Sequence, residues 1–263
     1  MKYLADRLKG RHHVLFTPPS QRHGNAPFEK LKADTARMKE LFPRVVEFAP
    51  ELVLSRASVV AARLSFGLQI KHVSFCERAE RSLRMVSPLV QKMLVPSLLP
   101  ARIFSGYGIH NSDIIRYRGI PDAFTPRQET SDAKGAVLLE TSPAMESIHG
   151  GLSSKFPKVA TIRDGTASEY GGDVPADAAL FIGYSPLVIR AALVGVPTIS
   201  YSPRLDAMQR YLIRHNLLVH RTKPNDIMDL ACKMAGSSKT EEAGRVVSGM
   251  EDPYDILLRI VSV

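Results

Sequence analysis

The 263-residue chain contains no tryptophan and only two cysteines, Cys76 and Cys232. Two cysteines so far apart suggest neither a disulfide framework nor a zinc site. No apolar run comes near the roughly 20 residues that span a bilayer. The opening MKYLADRLKG is amphipathic without an apolar core, which predicts no secretory leader and, by default, a cytoplasmic location. Internal repeats and low-complexity tracts are missing. So are helix-turn-helix, zinc and aromatic-rich RNA-binding patterns, and nucleic acid is therefore not an expected partner. What remains is an ordinary globular composition, 44% hydrophobic and 23% charged, with length for one large domain or two smaller ones.

Acidic residues are scarce in the first half. Residues 1–120 hold 20 Lys and Arg against 9 Asp and Glu, whereas residues 121–263 hold 15 against 17. This asymmetry fits either a solvated basic surface or a half that meets an anion, such as a phosphorylated ligand or an anionic lipid headgroup.

Short apolar runs alternate with helical periodicity along the whole chain. In the first half the pattern predicts the end of a helix at Tyr3–Leu8 and strands at His13–Phe16, Leu52–Ser55, His72–Phe75, Ile103–Phe104 and Ile114–Tyr117. Helices are expected at Pro27–Phe42, Ala57–Phe66 and Arg78–Val95, the last broken or started by Pro88. Pro121–Lys134 is polar and aperiodic and reads as a linker. Beyond it come buried-type strands at Ala136–Leu139, Val159–Ile162, Ala179–Ile182, Thr198–Tyr201 and Leu217–His220, with helices at Ala207–His215, Asp226–Ala235 and Tyr254–Val261. Strands and helices alternating at this spacing argue for parallel sheets with right-handed crossovers. The expected fold class is α/β, with two doubly wound Rossmann-like domains at 1–122 and 134–252. A C-terminal helix at 253–263 is placed to cross back to the first domain.

The segment Ala178–Ser202, ALFIGYSPLVIRAALVGVPTISYS, writes out a complete strand–turn–helix–strand unit. The strand stops at Gly183, Ser185 is a candidate N-cap, Pro186 opens the helix and Gly195 caps it. In such units a phosphate sits beyond the strand's carboxyl end, facing the helix N-terminus.

Ser55–Gly67 with Ile70–Phe75 (SRASVVAARLSFG, IKHVSF), then Ile115–Phe124 (IRYRGIPDAF), then Phe181–Tyr201 resemble the uncharacterised, largely archaeal family called domain of unknown function 354. The likeness spans most of residues 10–235. That family is itself similar to GT-B glycosyltransferases and nucleotide-sugar 2-epimerases, which implies two domains around a central cleft. It further implies a nucleotide-diphosphate sugar held as substrate by the second domain, an acceptor held by the first, and no cofactor or metal. The chain departs from the family at two places. The family's glycine-rich phosphate turn is reduced to Gly183 followed by Tyr184, and the acidic position of the next helix is Arg190. The chain also opens within what corresponds to the first helix, so the first domain is expected to lack its first strand.

Several residues carry candidate chemistry. Ser185 and the amides after Pro186 would bind a diphosphate, or Ser185 would simply cap the helix; Arg190 would pair with a phosphate, or form a surface salt bridge. Glu140 and Ser142 follow the first strand of the second domain, with Glu146 and His149 in the loop beyond. Arg163, with Asp164 and Gly165, ends the next strand at the same edge. In the first domain, Glu77 or His23 is the candidate general base for an acceptor hydroxyl, against a plain loop-polarity reading. Arg78, Arg81 and Arg84 form a basic stripe on a helix whose apolar residues include Met93 and Leu94. That helix would either rest on anionic lipid beside a lipid-linked acceptor or pack on its own sheet. The leading expectation is a metal-independent GT-B-like glycosyltransferase. The alternatives are a non-catalytic sugar-nucleotide-binding or regulatory protein, and a nucleotide-sugar 2-epimerase.

Overall fold

A computed structural model describes residues 26–78, 82–124, 134–142, 145–163 and 174–261, apart from the side chains of Ser147, Arg163 and Val261. The chain forms two compact units, Met1–Arg118 with Glu251–Val263, and Gly119–Met250. Each is an α/β layer structure built on a wholly parallel sheet.

The first unit runs α1 (Pro27–Phe48), β1 (Leu52–Ser55), α2 (Val59–Gly67), β2 (Lys71–Phe75), α3 (Leu83–Val86), β3 (Lys92–Pro96), α4 (Ala101–Ser105) and β4 (Ile114–Tyr117), closed by α10 (Pro253–Val261). Its strands lie in the order β1-β2-β3-β4. Helix α1 starts with Pro27 in its first turn, where the missing N–H is harmless. It then continues through Pro43 to Phe48, six residues past the expected end. Ser58 caps α2 by accepting from the Ala61 amide. At the other end of the unit, the Arg118 amide donates to Glu251, and Phe75 stacks on Tyr117 at a ring separation of 5.9 Å and meets Tyr254 at a tilt at 6.2 Å.

Two expectations fail here. The stretch read as one helix from Arg78 to Val95 is a single turn of α-helix, a 3-10 turn over Ser87–Leu89 and then strand β3. Pro88 ends the helical register, and Met93, Leu94 and Val95 are fully buried in the middle of the sheet. A short apolar run reads equally well at either period, and burial on both faces decides for the strand. The basic and apolar helix imagined against a membrane surface therefore does not form: Arg84 sits on the one-turn α3, and Arg81 lies outside the described residues. Ile103–Phe104 is likewise no strand but the middle of α4, which follows Pro100. Residues 3–8 and 13–16 lie outside the described residues.

The second unit runs β5 (Val137–Thr141), α5 (Glu146–Lys155), β6 (Val159–Arg163), β7 (Leu180–Gly183), α6 (Leu187–Leu193), β8 (Thr198–Ser200), α7 (Ala207–Arg214), β9 (Val219–His220), α8 (Pro224–Met234) and α9 (Thr240–Ser248). The strand order is β6-β5-β7-β8-β9. Its core gathers Val137, Leu139, Leu180, Ile182 and Ile199 from the sheet with Ile148, Leu152, Ile227 and Ala231 from α5 and α8. Gly151 lets α8 approach, since a Cβ there would stand 3.0 Å from the Met228 methyl. Asp206 and Gln209 form a reciprocal capping box on α7. Of the segment read as a linker, Pro121–Phe124 is a 3-10 turn belonging to this unit, and residues 125–133 lie outside the described residues. Helix α9 was not anticipated.

Candidate functional site

The order of the second sheet places its site. From β5 the chain steps outward to β6, then returns to the other flank of β5 with β7. In open parallel sheets such a reversal opens a crevice at the carboxyl ends of the two strands, where ligands bind. Here those ends are Glu140–Ser142, where β5 runs out, and Gly183–Ser185, where β7 does.

This crevice is occupied by the protein itself. Glu140, 1% exposed, turns its carboxylate under the β7 turn, and one oxygen, Oε2, accepts the amides of Tyr184 at 2.8 Å and Ser185 at 2.9 Å. Two successive backbone N–H groups converging on one oxygen make an anion cradle of the kind that takes a phosphoryl oxygen. Gly183 is needed for it: a Cβ there would lie 2.6 Å from Glu140 Oε2 and 2.5 Å from the Phe181 ring. Tyr201, at the end of β8, donates its hydroxyl to the Glu140 carbonyl at 2.5 Å, and its ring leans on that of Tyr184 at 5.2 Å. Both lone backbone donors of the turn are thus satisfied by a buried charge, which compensates Glu140 for its loss of water.

The remaining expected residues distribute as follows. Ser185 Oγ accepts the Leu187 amide at 3.2 Å, a local cap, with Pro186 as the boundary residue of α6. Arg190 does not reach the turn as a free guanidinium: its Nε donates to Asp122 Oδ1 at 3.0 Å, bracing the Pro121–Phe124 turn. Ser142 lies just past β5, with its hydroxyl buried and unpaired among the described residues. Arg163 closes β6 opposite Thr141, at the same carboxyl edge, and its side chain is not among those described. Asp164 and Gly165 lie outside the described residues. Glu146 and His149 stand on α5 rather than in a loop, Glu146 exposed in its first turn and His149 half-buried. The Gly150-Gly151 pair hid that helix.

In the first unit, Glu77 is bound by the Arg56 guanidinium in an ion pair, and both line a cavity of about 20 Å³. That volume holds one water. Glu77 is therefore paired with Arg56 in this arrangement. His23 lies outside the described residues. Sequence reading missed His72, whose ring is fully buried within β2. Ser65 Oγ donates to the Ala61 carbonyl and so accepts from His72 Nδ1 at 3.0 Å, which leaves Nε2 to accept from Ser55 Oγ at 2.8 Å. Burial lowers the imidazole pKa from 6.5 to about 4, so the ring is neutral near pH 7. Asp122 and Tyr201 were also missed. Asp122 stood in a segment read as linker, and no local pattern ties Tyr201 to Glu140.

Among the described residues no cluster of three or more His, Cys, Asp or Glu is arranged to hold a metal ion, and no helix is long and apolar enough to cross a membrane.

Comparison with known proteins agrees with the two-unit α/β architecture. Residues 14–130 match the family described as Protein of unknown function (DUF354), a resemblance confined to the first unit and its exit. No curated protein sequence matches the chain. Among solved structures, the UDP-GlcNAc 2-epimerase of Methanocaldococcus jannaschii is similar at a TM-score of 0.62 and 11% identity, covering 93% of this chain and 86% of that one. The UDP-GlcNAc 2-epimerase of Neisseria meningitidis bound to UDP-GlcNAc is similar at 0.60 and 11% identity, covering 94% and 83%. Anabaena Alr3699/HepE in complex with UDP-glucose is similar at 0.53 and 13% identity, covering 98% and 89%. At these identities the likeness is one of fold: the chain has the GT-B architecture of paired Rossmann-like units.

Proposed function

We infer that the protein binds a nucleoside-diphosphate sugar through its second unit, at the carboxyl edge between β5 and β7, and that glycosyl transfer from that sugar is its chemistry. The observation that carries this reading is the cradle itself. Two adjacent amides, at the reversal point of the sheet, already hold one anionic oxygen at 2.8 and 2.9 Å. A diphosphate offers the same acceptor. The reading is supported by the fold, which the chain shares with structures holding UDP-GlcNAc and UDP-glucose. In it, the donor's phosphate displaces Glu140 from the turn, and the turn amides stabilise charge that grows on the leaving diphosphate. Arg163, at the neighbouring strand end, supplies the counter-charge. The acceptor is then a hydroxyl compound, phosphorylated or lipid-linked.

One observation favours a second reading. Glu140 fills the cradle and Asp122 holds Arg190, the state of a protein in which an internal carboxylate has replaced the ligand's phosphate for good. That reading is a non-catalytic relative of such enzymes.

Isothermal titration with UDP, UDP-glucose and UDP-GlcNAc, repeated with the guanosine counterparts, tests the first premise. Saturable binding is expected, and its absence from every titration would overturn the proposal. Phosphorus and proton NMR of the same mixtures then separate the chemistries. Nucleoside diphosphate released in the presence of an acceptor marks transfer, a C2-inverted sugar nucleotide marks epimerisation, and an unchanged spectrum with binding marks the non-catalytic reading.

A further inference from the structure

The second half of the chain is nearly neutral, yet one stretch of its carboxyl edge is not. Residues 121–263 hold 15 Lys and Arg against 17 Asp and Glu. Between Ser202 and Lys223 the balance is Arg204, Arg210, Arg214, Arg221 and Lys223 against Asp206 alone. Asp206 is already engaged, its carboxylate accepting the Gln209 amide at 2.8 Å as the cap of α7. Arg204 follows the end of β8, and Arg221 and Lys223 follow the end of β9, so these three belong to the edge that carries the cradle. All three are exposed, and among the described residues none of them forms an ion pair. Arg190, by contrast, is held by Asp122.

Hydrogen bonds tie this rim to the cradle. Tyr201 donates its hydroxyl to the Glu140 carbonyl, and the carbonyl of the next residue, Ser202, accepts from His220 Nε2 at 2.9 Å. The Arg221 amide donates to the Ser200 carbonyl at 2.9 Å, and its Nη1 donates to the His220 carbonyl at 2.7 Å. Ser202 Oγ donates to the Arg204 carbonyl at 2.9 Å and closes the turn that presents Arg204. The backbone of both arginines is thereby fixed with respect to Glu140 and the β7 turn. Since β7, β8 and β9 are successive neighbours at a spacing of about 4.8 Å, the end of β9 lies roughly 10 Å from the cradle along the edge. One hexose ring and one arginine side chain cover that span between them.

The make-up of the rim selects the part of a ligand that it suits. Prolines apart, every exposed residue in 202–206 and 219–225 is polar or charged: Arg204, Arg221, Thr222, Lys223 and Asn225. A nucleobase is held best against an aromatic or apolar face, which these exposed residues do not offer. Guanidinium forks, in contrast, pair bidentately with planar oxyanions.

We propose that the sugar of the donor lies on this rim and carries a carboxylate, as a uronic acid does, which Arg204 and Arg221 bind. The proposal rests on the reading of the β7 turn as the diphosphate site, and it names the substrate class as acidic sugar nucleotides. With the diphosphate on the turn amides, the glycosyl group extends past β8 and brings its carboxylate to the two guanidinium groups. Lys223 adds a point charge at the same end without fixing a geometry.

Titration calorimetry of the full chain with UDP, UDP-glucose and UDP-glucuronate, and with GDP, GDP-mannose and GDP-mannuronate, tests this. In the series that binds, the uronate is expected to bind at least about 10-fold tighter than its hexose. Arg204→Gln and Arg221→Gln should each lower that preference about three-fold or more and together abolish it, with affinity for the bare nucleoside diphosphate within about two-fold of the parent. Arg210→Gln, the same change of charge at an exposed position of α7, should leave the preference as it was. Equal affinities for uronate and hexose, with the nucleoside diphosphate bound, would overturn the proposal and leave the diphosphate site standing. So would a preference that survives the double replacement, or one that Arg210→Gln lowers as much, since that marks the general field of a basic chain. If neither nucleoside diphosphate binds, the reading of the turn fails and the proposal fails with it.

Discussion

Replacing Glu140 by alanine tests the central geometry of the second unit twice over. The carboxylate accepts two charge-assisted bonds from the β7 turn at 2.8 and 2.9 Å while 1% exposed. Bonds to a charged partner contribute roughly 1.5–3 kcal/mol each, so screening by solvent is slight and removal should cost about 3 kcal/mol of unfolding free energy. For a ligand the same quantity enters with the opposite sign. A phosphoryl oxygen that takes those amides must first release Glu140, and once the carboxylate is gone that competition ends. Water will satisfy part of the turn, so the gain is smaller than the stability loss. Roughly 1.5–2.5 kcal/mol corresponds to a 10- to 70-fold tighter nucleotide complex. Glu140→Gln, which retains an acceptor of the same shape without charge, should fall between parent and alanine in both measurements. Urea unfolding followed by circular dichroism and titration calorimetry with UDP read the two effects. If Glu140→Ala folds and loses stability as expected while its affinity for every nucleotide stays level or falls, the cradle is not where a phosphate binds. If it loses no stability, the two bonds are worth far less than argued.

Other perturbations separate the remaining parts. Because burial lowers the His72 pKa from 6.5 to about 4, the unfolded chain takes up this proton first. The stability the neutral ring contributes is whole above pH 6.5 and drains away as the pH falls toward 4, by up to about 3 kcal/mol. His72→Gln should therefore show a shallower fall of stability with pH in denaturant titrations, and equal slopes would show that the ring titrates normally. Gly195→Ala places a Cβ 2.4 Å from the Thr240 Cα at a φ of +85°. Strain and backbone collision together should cost at least about 2 kcal/mol, and a shift of only a degree or two in melting temperature would contradict this. Arg190→Ala should change stability by less than about 1 kcal/mol, the Asp122 pair being partly exposed. It should also leave UDP affinity within about three-fold, because the guanidinium is already engaged; complete loss of binding would restore Arg190 as a phosphate ligand.

Much of the scaffold was legible in the sequence, and the reasons are local. Leu52–Ser55 and Ile114–Tyr117 are bounded by polar or turn residues and match their strands residue for residue. The unit around β7 was readable because strand, turn residues, helix and glycine cap all agree within 25 residues. β3 was not, since Lys92–Pro96 follows directly on a helical pattern and only the third dimension shows that both its faces are covered. The site was legible by position rather than by role. Glu140 was placed at the carboxyl edge where the structure has it, but nothing in the sequence shows that its carboxylate accepts the two amides of the β7 turn. The pairs Glu140 with the Tyr184 and Ser185 amides, Arg190 with Asp122, and His72 with Ser55 and Ser65 all join residues at least seven apart. Most are more than 15 apart, beyond any periodic signal.

The first unit is not continuous along the chain. Its sheet is complete by Tyr117, but the helix that covers Phe75 and receives the Arg118 amide through Glu251 begins only after the whole second unit has passed. On the ribosome, the four described strands of this unit must therefore wait for the helix that contacts Phe75 while some 130 residues are added. During that interval Phe75 lacks the Tyr254 ring that lies against it in the finished unit, and exposed apolar surface of this kind is where nascent chains are prone to associate. The second unit, written in one uninterrupted stretch, meets no such delay and is free to finish folding first.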